Sequence, residues 1–416
     1  MLRSLTQIRW KSLIAPWQQV DWLLFALSLG LTIFGGLMIR SAELNQGLTD
    51  WWQHWLVGGI GVGLALFIAR CRYENLIQWH WIIYGITNLS LIAVMVTGTS
   101  AKGAQRWISI GGFNLQPSEF AKVGVIITLA ALLHSKTAAT IPSVLKALAI
   151  TGVPWALVFL QPDLGTSLVF GAITLGMLYW GNANPGWLIL LISPVIAAIL
   201  FNVFFPGWIF WTVAMSVIAW ITLPWRWLSA GGAIAVNFVA GELGHLLWGL
   251  LKDYQKDRLI LFLDPYKDPL GGGYHLIQSR IAIGAGELWG QGLNKGTQTQ
   301  LNFVPEQHTD FIFSAIGEEL GFVGCLAVLF AFWLVCLRLL SIAQNAKDNF
   351  GSLLAIGVLS MLVFEVIVNI GMTIGLAPVT GIPLPWISYG RSAMLTNFLA
   401  IGIVESVVNY RQKLKF

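Results

Sequence analysis

VDWLLFALSLGLTIFGGLMI, residues 20–39, holds one charge, Asp21, and is otherwise uncharged. As an α-helix it rises ~1.5 Å per residue, so this run is long enough to cross the ~30 Å hydrocarbon core of a bilayer. The stretches Leu56 to Ala69 and Phe350 to Met372 repeat the pattern. Working outward, apolar runs separated by polar, Gly or Pro punctuation predict about twelve crossings. They cover 20–41, 52–69, 76–97, 118–134, 144–160, 164–182, 186–205, 207–223, 228–250, 311–340, 351–374 and 389–408. The expected fold is an all-α polytopic transmembrane bundle.

Composition agrees. Residues AVILMFWYC make up 56% of the chain and DEKR only 10%, which excludes a water-soluble domain. The net charge of +5 does not indicate nucleic acid, because the basic residues sit in short clusters beside apolar runs rather than in one patch. The 21 tryptophans suit the headgroup zone, since an indole joins an apolar body to one N–H donor. Cys71, Cys325 and Cys336 lie in or beside apolar segments, and the last two share one predicted helix, so neither a disulfide framework nor a metal site is expected from them.

Placing the N-terminus in the cytoplasm puts Arg70 and Arg72, Lys136 and Lys146, Arg226, Arg338 and Lys347, and finally Arg411, Lys413 and Lys415 in cytoplasmic connections, as the positive-inside rule requires. Arg3, Arg9 and Lys11 precede an apolar run without a small-residue cleavage signal, which reads as a retained anchor. Residues 251–310 hold thirteen charges and no convincing crossing. By parity this segment lies on the opposite side, and a loop of that size reads as functional. A shorter Gly-rich outer loop spans 98–117 and carries Lys102 and Arg106.

Several polar groups fall inside or beside the spans. Glu119 and Lys122, three apart on a predicted helix, share a face and can pair; ionisable groups at membrane depth are candidates for function, against the plainer reading of an interfacial pair. Gln161, Pro162 and Asp163 interrupt two apolar runs, either lining a cavity or forming a tight outer turn. Glu365 and Asn369 share a helix face, either bonded to a neighbour or lining a cavity. Thr309 or Asp310 is expected to cap the helix that follows. His308 has no second His or Cys at ligand spacing, so no zinc site is expected.

Four stretches together carry a resemblance: RWISIGGFNLQPSEFAK (106–122), QPDLGTS (161–167), the run from LDPYKDPLGGG (263–273) through Gly321, and PVTGIPLPWISYG (378–390). In that order they resemble the SEDS (shape, elongation, division and sporulation) family of peptidoglycan glycan-strand polymerases, on its rod-shape side. The resemblance implies one SEDS-type membrane domain over 1–416, with 251–310 as its large periplasmic catalytic loop, in a bacterial inner membrane. It implies polymerisation of lipid II onto a growing glycan strand during elongation and shape maintenance. The GlcNAc 4-hydroxyl is then the nucleophile and undecaprenyl pyrophosphate the leaving group. A β product from an α-linked donor calls for one in-line displacement and one general base.

On this resemblance Asp268 matches the family's catalytic acidic residue, with Asp264 its rival; the plainer reading of either is a turn-former before proline. Arg106, Glu119, Lys122, Asp163, Arg280, His308 and Ser388 become substrate-binding candidates, the cations facing a pyrophosphate. No cofactor is implied, and dependence on a divalent cation is left open. The implied partners are lipid II, membrane lipids and a class B penicillin-binding protein as transpeptidase, with no nucleic acid. Two departures from the family stand out: Arg391 occupies a usual glycine position, and 185–250 is longer than the ten-helix plan by about two crossings. A lipid II flippase or a non-catalytic scaffold for a penicillin-binding protein is the competing function, since intramembrane charges also suit transporters.

Overall fold

Each predicted apolar run folds as a helix in the computed structural model, which describes residues 20–45, 50–101, 104–110, 113–223, 225–250, 261–262 and 264–411. Lys102, the charges between 251 and 260, and the terminal basic residues Arg3, Arg9, Lys11, Lys413 and Lys415 lie outside the described residues. The helices are α1 Trp22–Glu43, α2 Asp50–Ala69, α3 Leu76–Thr97, α4 Pro117–Ser135, α5 Ile141–Leu160, α6 Leu164–Trp180 and α7 Pro185–Val203. There follow α8 Phe205–Thr222, α9 Arg226–Leu250, two short loop helices, α10 Tyr274–Ala285 and α11 Thr297–Gln300, and then α12 Ile312–Gln344, α13 Asn349–Ile374 and α14 Arg391–Asn409.

Ten of the described helices are long and apolar enough to cross a membrane. The other two expected crossings also form helices: α6 is apolar but has only 17 residues, and α9, with 25, carries Arg226 and Glu242. The lengthened segment 185–250 forms the trio α7, α8 and α9, whose helices pack chiefly on one another, with α7 also touching α6. One element departs from the all-helical expectation. Within the Gly-rich loop, β1 Thr99–Ala101, β2 Ala104–Ile110 and β3 Phe113–Leu115 form an antiparallel meander, with Thr99 opposite Trp107 and Ile108 opposite Leu115. Ile108, Ser109 and Ile110 alternate as a pleated strand requires, a short signal inside a segment whose glycines read as an outer loop.

Helix starts follow their residues. Asp21, Asp163 and Asp348 accept hydrogen bonds from backbone amides in the first turns of α1, α6 and α13, satisfying donors that have no intrahelical partner. Helix α4 is the hub: Pro117 to Ala131 is buried almost without interruption, enclosed by α3, α5, α6, α13 and α14. By contrast, α3 leaves Trp79, Trp81, Ile82 and Ile86 exposed, a face suited to lipid. Helices α2 and α14 approach closely through Gly402, where an added Cβ would stand 2.8 Å from the Ala65 Cα. Small residues of this kind let membrane helices meet backbone to backbone.

The bundle has two chemically different ends. At one, Tyr410 donates to the Arg70 carbonyl, Lys347 pairs with Glu74, and Arg338 pairs with Asp21, whose own amide donates to Glu405. At the other meet the β meander, the α5–α6 turn, the end of α1 and the start of α2, residues 264–311 of the large loop and residues 376–390. We call these the basic end and the loop end.

Candidate functional site

The loop end is organised by the large loop. A short 3-10 turn, Pro265–Lys267, leads into α10, which is pinned to α12 and α13 because the Ser279 hydroxyl meets that of Ser314 at 2.6 Å and the Thr373 carbonyl at 2.7 Å. Helix α12 breaks at Gly321, whose φ of +66° and ψ of −165° lie outside helical space. A side chain there would be strained, and glycine is not. The break frees the carbonyls of Glu318 and Glu319 to accept from the amides of Gln291 and Gly292. The Glu318 carboxylate in turn holds the amides of Gln298 and Thr299 at 2.7 and 2.8 Å, which fixes α11.

Neither Thr309 nor Asp310 caps α12, contrary to expectation. Phe311 stands at that position without a side-chain bond, the Thr309 hydroxyl turns back to the Glu306 carbonyl, and the Asp310 carbonyl accepts from Asn369 at 2.9 Å. Docking against α13 outweighs the local capping preference.

Beneath this end lies a buried charge cluster. The Lys122 ammonium sits 2.8 Å from Glu119 and 2.6 Å from Glu365, and the three residues are 2–4% exposed. Glu119 and Lys122 are one turn apart on α4; Glu365 comes from α13. Two carboxylates around one ammonium, if all are charged, leave a net negative site in a low-dielectric region. An isolated buried charge there would be costly, so the three groups hold one another. Asn369, one turn beyond Glu365, bonds the Asp310 and Ile382 carbonyls and ties the large loop to the irregular segment 376–390.

A polar tier adjoins this cluster. Asp163 caps α6, accepts from the Thr166 hydroxyl at 3.0 Å and from Gln116 Nε2 at 3.1 Å, and lies 3.8 Å from the Arg106 guanidinium. Arg106, delivered by β2, also bonds the carbonyls of Gln161 and Pro162. Gln116 further contacts the hydroxyls of Ser118 and Ser392. Strand β2, helix α6 and the first turn of α4 are thereby joined at one place. Gln116 escaped the reading of the sequence although it precedes Pro117 in the quoted motif; a neutral amide at a loop–helix junction gives no periodic or charge signal.

The remaining candidates are spread around the rim. Asp268 is exposed, and its two carboxylate oxygens accept from the amides of Gly271 at 3.1 Å and Gly272 at 2.8 Å. A Cβ at Gly271 would collide with the Asp268 carboxylate, and one at Gly273 with the backbone carbonyl of Pro265, so glycine lets the chain turn this tightly. These bonds are local and do not reach the Lys122 cluster. Arg280 is exposed, with its side chain beside Gly375 at the end of α13. Ser388 is buried, and its hydroxyl accepts from the Leu384 amide at 2.8 Å, a turn-forming contact. The His308 carbonyl accepts from the Tyr389 amide, and the two rings lie 6.1 Å apart. Burial pushes the Tyr389 phenol above its ordinary range; its oxygen accepts from Arg391 Nε and donates to Gln53. At the position where a glycine is usual, Arg391 thus begins α14 and supports this tyrosine.

The structure therefore joins Glu119 with Lys122 and Arg106 with Asp163. It leaves Asp268, Arg280 and Ser388 in separate local settings and sets His308 beside Glu43 and Asp50, at the facing ends of α1 and α2. The buried triad and the Arg106–Asp163 pair bring carboxylates and cations together at the loop end, groups of the kinds that can accept a proton or neutralise an anion.

Fold and site together define a multi-pass helical membrane protein with a polar, charge-bearing centre at one end. The chain belongs to the FtsW/RodA/SpoVE family of cell cycle proteins, whose model matches residues 20–413. It is 36% identical over 406 residues to the peptidoglycan glycosyltransferase MrdB of Escherichia coli K12, covering 96% of each chain. It is also 36% identical over 431 residues to the peptidoglycan glycosyltransferase RodA of Treponema pallidum, covering 94% of this chain and 98% of that one. Among solved structures it is similar to a chain of a peptidoglycan synthase complex that coordinates polymerization and crosslinking, with 28% identity, a TM-score of 0.70 and coverage of 95% and 100%.

Proposed function

We propose that this protein polymerises lipid II into glycan strands at the outer face of a bacterial inner membrane, working with a class B penicillin-binding protein that cross-links them. It is a peptidoglycan glycosyltransferase, and the observation that carries this is its near-full-length relation to enzymes of that name. In the reaction the acceptor's 4-hydroxyl oxygen bonds to the donor sugar's C1 as the C1–O bond to the pyrophosphate breaks. The hydroxyl proton passes to Asp268, and the charge growing on the leaving pyrophosphate falls to the cations Arg106 and Arg280. The paired glycine amides orient the Asp268 carboxylate without covering it, and binding of two lipid substrates would exclude water from it. Glu119, Lys122 and Glu365 form the fixed polar floor. The whole chain acts as one membrane domain, with 251–310 as its catalytic loop.

The test is polymerisation of purified lipid II in detergent, with and without the cognate transpeptidase. Glycan chains are expected, in greater yield with the partner. A flippase or scaffold makes no chains, so their absence under both conditions overturns the reading. The similarity to a chain from a synthase complex supports the partner.

Sidedness is tested separately. The basic end is assigned to the cytoplasm by its arginines and lysines. In a background lacking Cys71, Cys325 and Cys336, an impermeant thiol reagent is expected to label Lys295→Cys from outside intact cells and to leave Lys136→Cys unlabelled. The reverse pattern defeats the assignment.

A further inference from the structure

We infer that the loop end holds a divalent-cation site made by Glu43, Asp50 and His308, separate from the Glu119–Lys122–Glu365 cluster. One ligand atom from each of the three side chains lies within 4.8 Å of the others. They come from the last residue of α1, the first of α2 and the exit of the large loop. Their spacing in sequence gives no ligand motif, which is why His308 alone did not suggest a metal.

The geometry of Glu43 points to a ligand. Its residue is 2% exposed, and one carboxylate oxygen, Oε2, accepts from the amides of Asp50 and Trp51 at 3.1 and 3.2 Å. The other, Oε1, is buried and has no hydrogen-bond partner. A desolvated carboxylate oxygen left unsatisfied is costly, and here a carboxylate oxygen of Asp50 lies within 4.8 Å of the Glu43 carboxylate. The Asp50 amide bond to Oε2 fixes the two acidic residues relative to each other, so repulsion cannot be relieved by moving them far apart. A divalent cation satisfies the free oxygen and cancels both charges.

The donor set narrows the ion. Two hard carboxylate oxygens with one imidazole nitrogen suit a first-row divalent ion such as Mn²⁺ better than a thiolate-seeking metal, and they are too few to enclose Ca²⁺ with its six to eight oxygens. Bonds of ~2.0–2.2 Å need the ligand atoms somewhat closer than 4.8 Å, which side-chain rotation of the half-buried Asp50 and His308 supplies. The unfilled coordination positions are left to water or an anionic oxygen. Bound there, the ion would clamp the end of α1 and the start of α2 to the exit of the large loop.

The experiment is Mn²⁺ binding to the purified full-length protein in detergent, followed by loss of the free-ion paramagnetic resonance signal and by thermal melting, without any activity assay. One Mn²⁺ per chain and a raised melting temperature are expected. Glu43→Gln should weaken binding by more than the ~10–100-fold typical of losing an outer-sphere partner, and it should abolish the thermal shift. Asp50→Asn and His308→Gln, at less buried positions, serve the same purpose should Glu43→Gln not fold, and each is expected to weaken binding likewise. No bound Mn²⁺ in the parent protein, or unchanged binding in a folded variant, overturns the site. Failure of polymerisation would not bear on this result, because the readout is ion binding.

Discussion

Asp268→Asn is expected to lower glycan-strand formation from lipid II by ~10²–10⁴-fold, the usual contribution of a general base. The substitution keeps the size of the side chain and one oxygen able to accept from a glycine amide, while removing the group that takes the proton. Because Asp268 is exposed and its bonds are local, the melting temperature should stay close to that of the parent. Asp264→Asn is expected to be milder: the Asp264 side chain does not cap the Pro265–Lys267 turn that follows it, and Asn suits the same turn position. Lipid II binding and thermal stability, measured beside the polymerisation rate, separate lost chemistry from misfolding. Parental activity in Asp268→Asn together with a dead Asp264→Asn would move the base to the other aspartate.

Lys122→Met is expected to damage folding itself. It strips the ammonium from between Glu119 and Glu365 and leaves two facing carboxylates without a counter-charge. Removing one partner of a buried ion pair costs ~3–5 kcal/mol, a large share of the ~5–15 kcal/mol that holds a typical domain together. Poor recovery from the membrane and a lowered melting temperature should follow. Combining Lys122→Met with Glu119→Gln and Glu365→Gln removes the stranded charges and should restore much of the stability, since uncharged replacements of buried ion clusters are often tolerated. Polymerisation by the triple variant then tells whether the cluster serves substrate or only the fold. A single Lys122→Met variant as stable as the parent would show that the three charges do not depend on one another.

The resemblance that placed Asp268 in a catalytic role rests on sequence, and the turn it occupies was equally legible there: Asp-Pro followed by three glycines is turn chemistry. Legibility failed where partners are distant. Glu365 was recognised as sharing a face with Asn369, but whether that face met a cavity or a neighbour could not be read from α13 alone. Its partner Lys122 lies 243 residues away. Arg106 and Asp163 were each singled out, and their approach depends on a strand meander that the apolar pattern concealed.

By itself, then, the sequence determined that this chain lives in a bilayer, where its helices run, and that Glu119 and Lys122 share a face. These are local consequences of hydropathy, of the need to satisfy every backbone amide in lipid, and of helical periodicity. The tertiary structure alone decided that Glu365 completes the buried triad, that Thr309 and Asp310 turn away from capping α12, and that Glu43, Asp50 and His308 converge. Side-chain neighbours across helices are set by how the whole bundle packs, and a polar group removed from water takes whichever partner that packing brings within bonding distance.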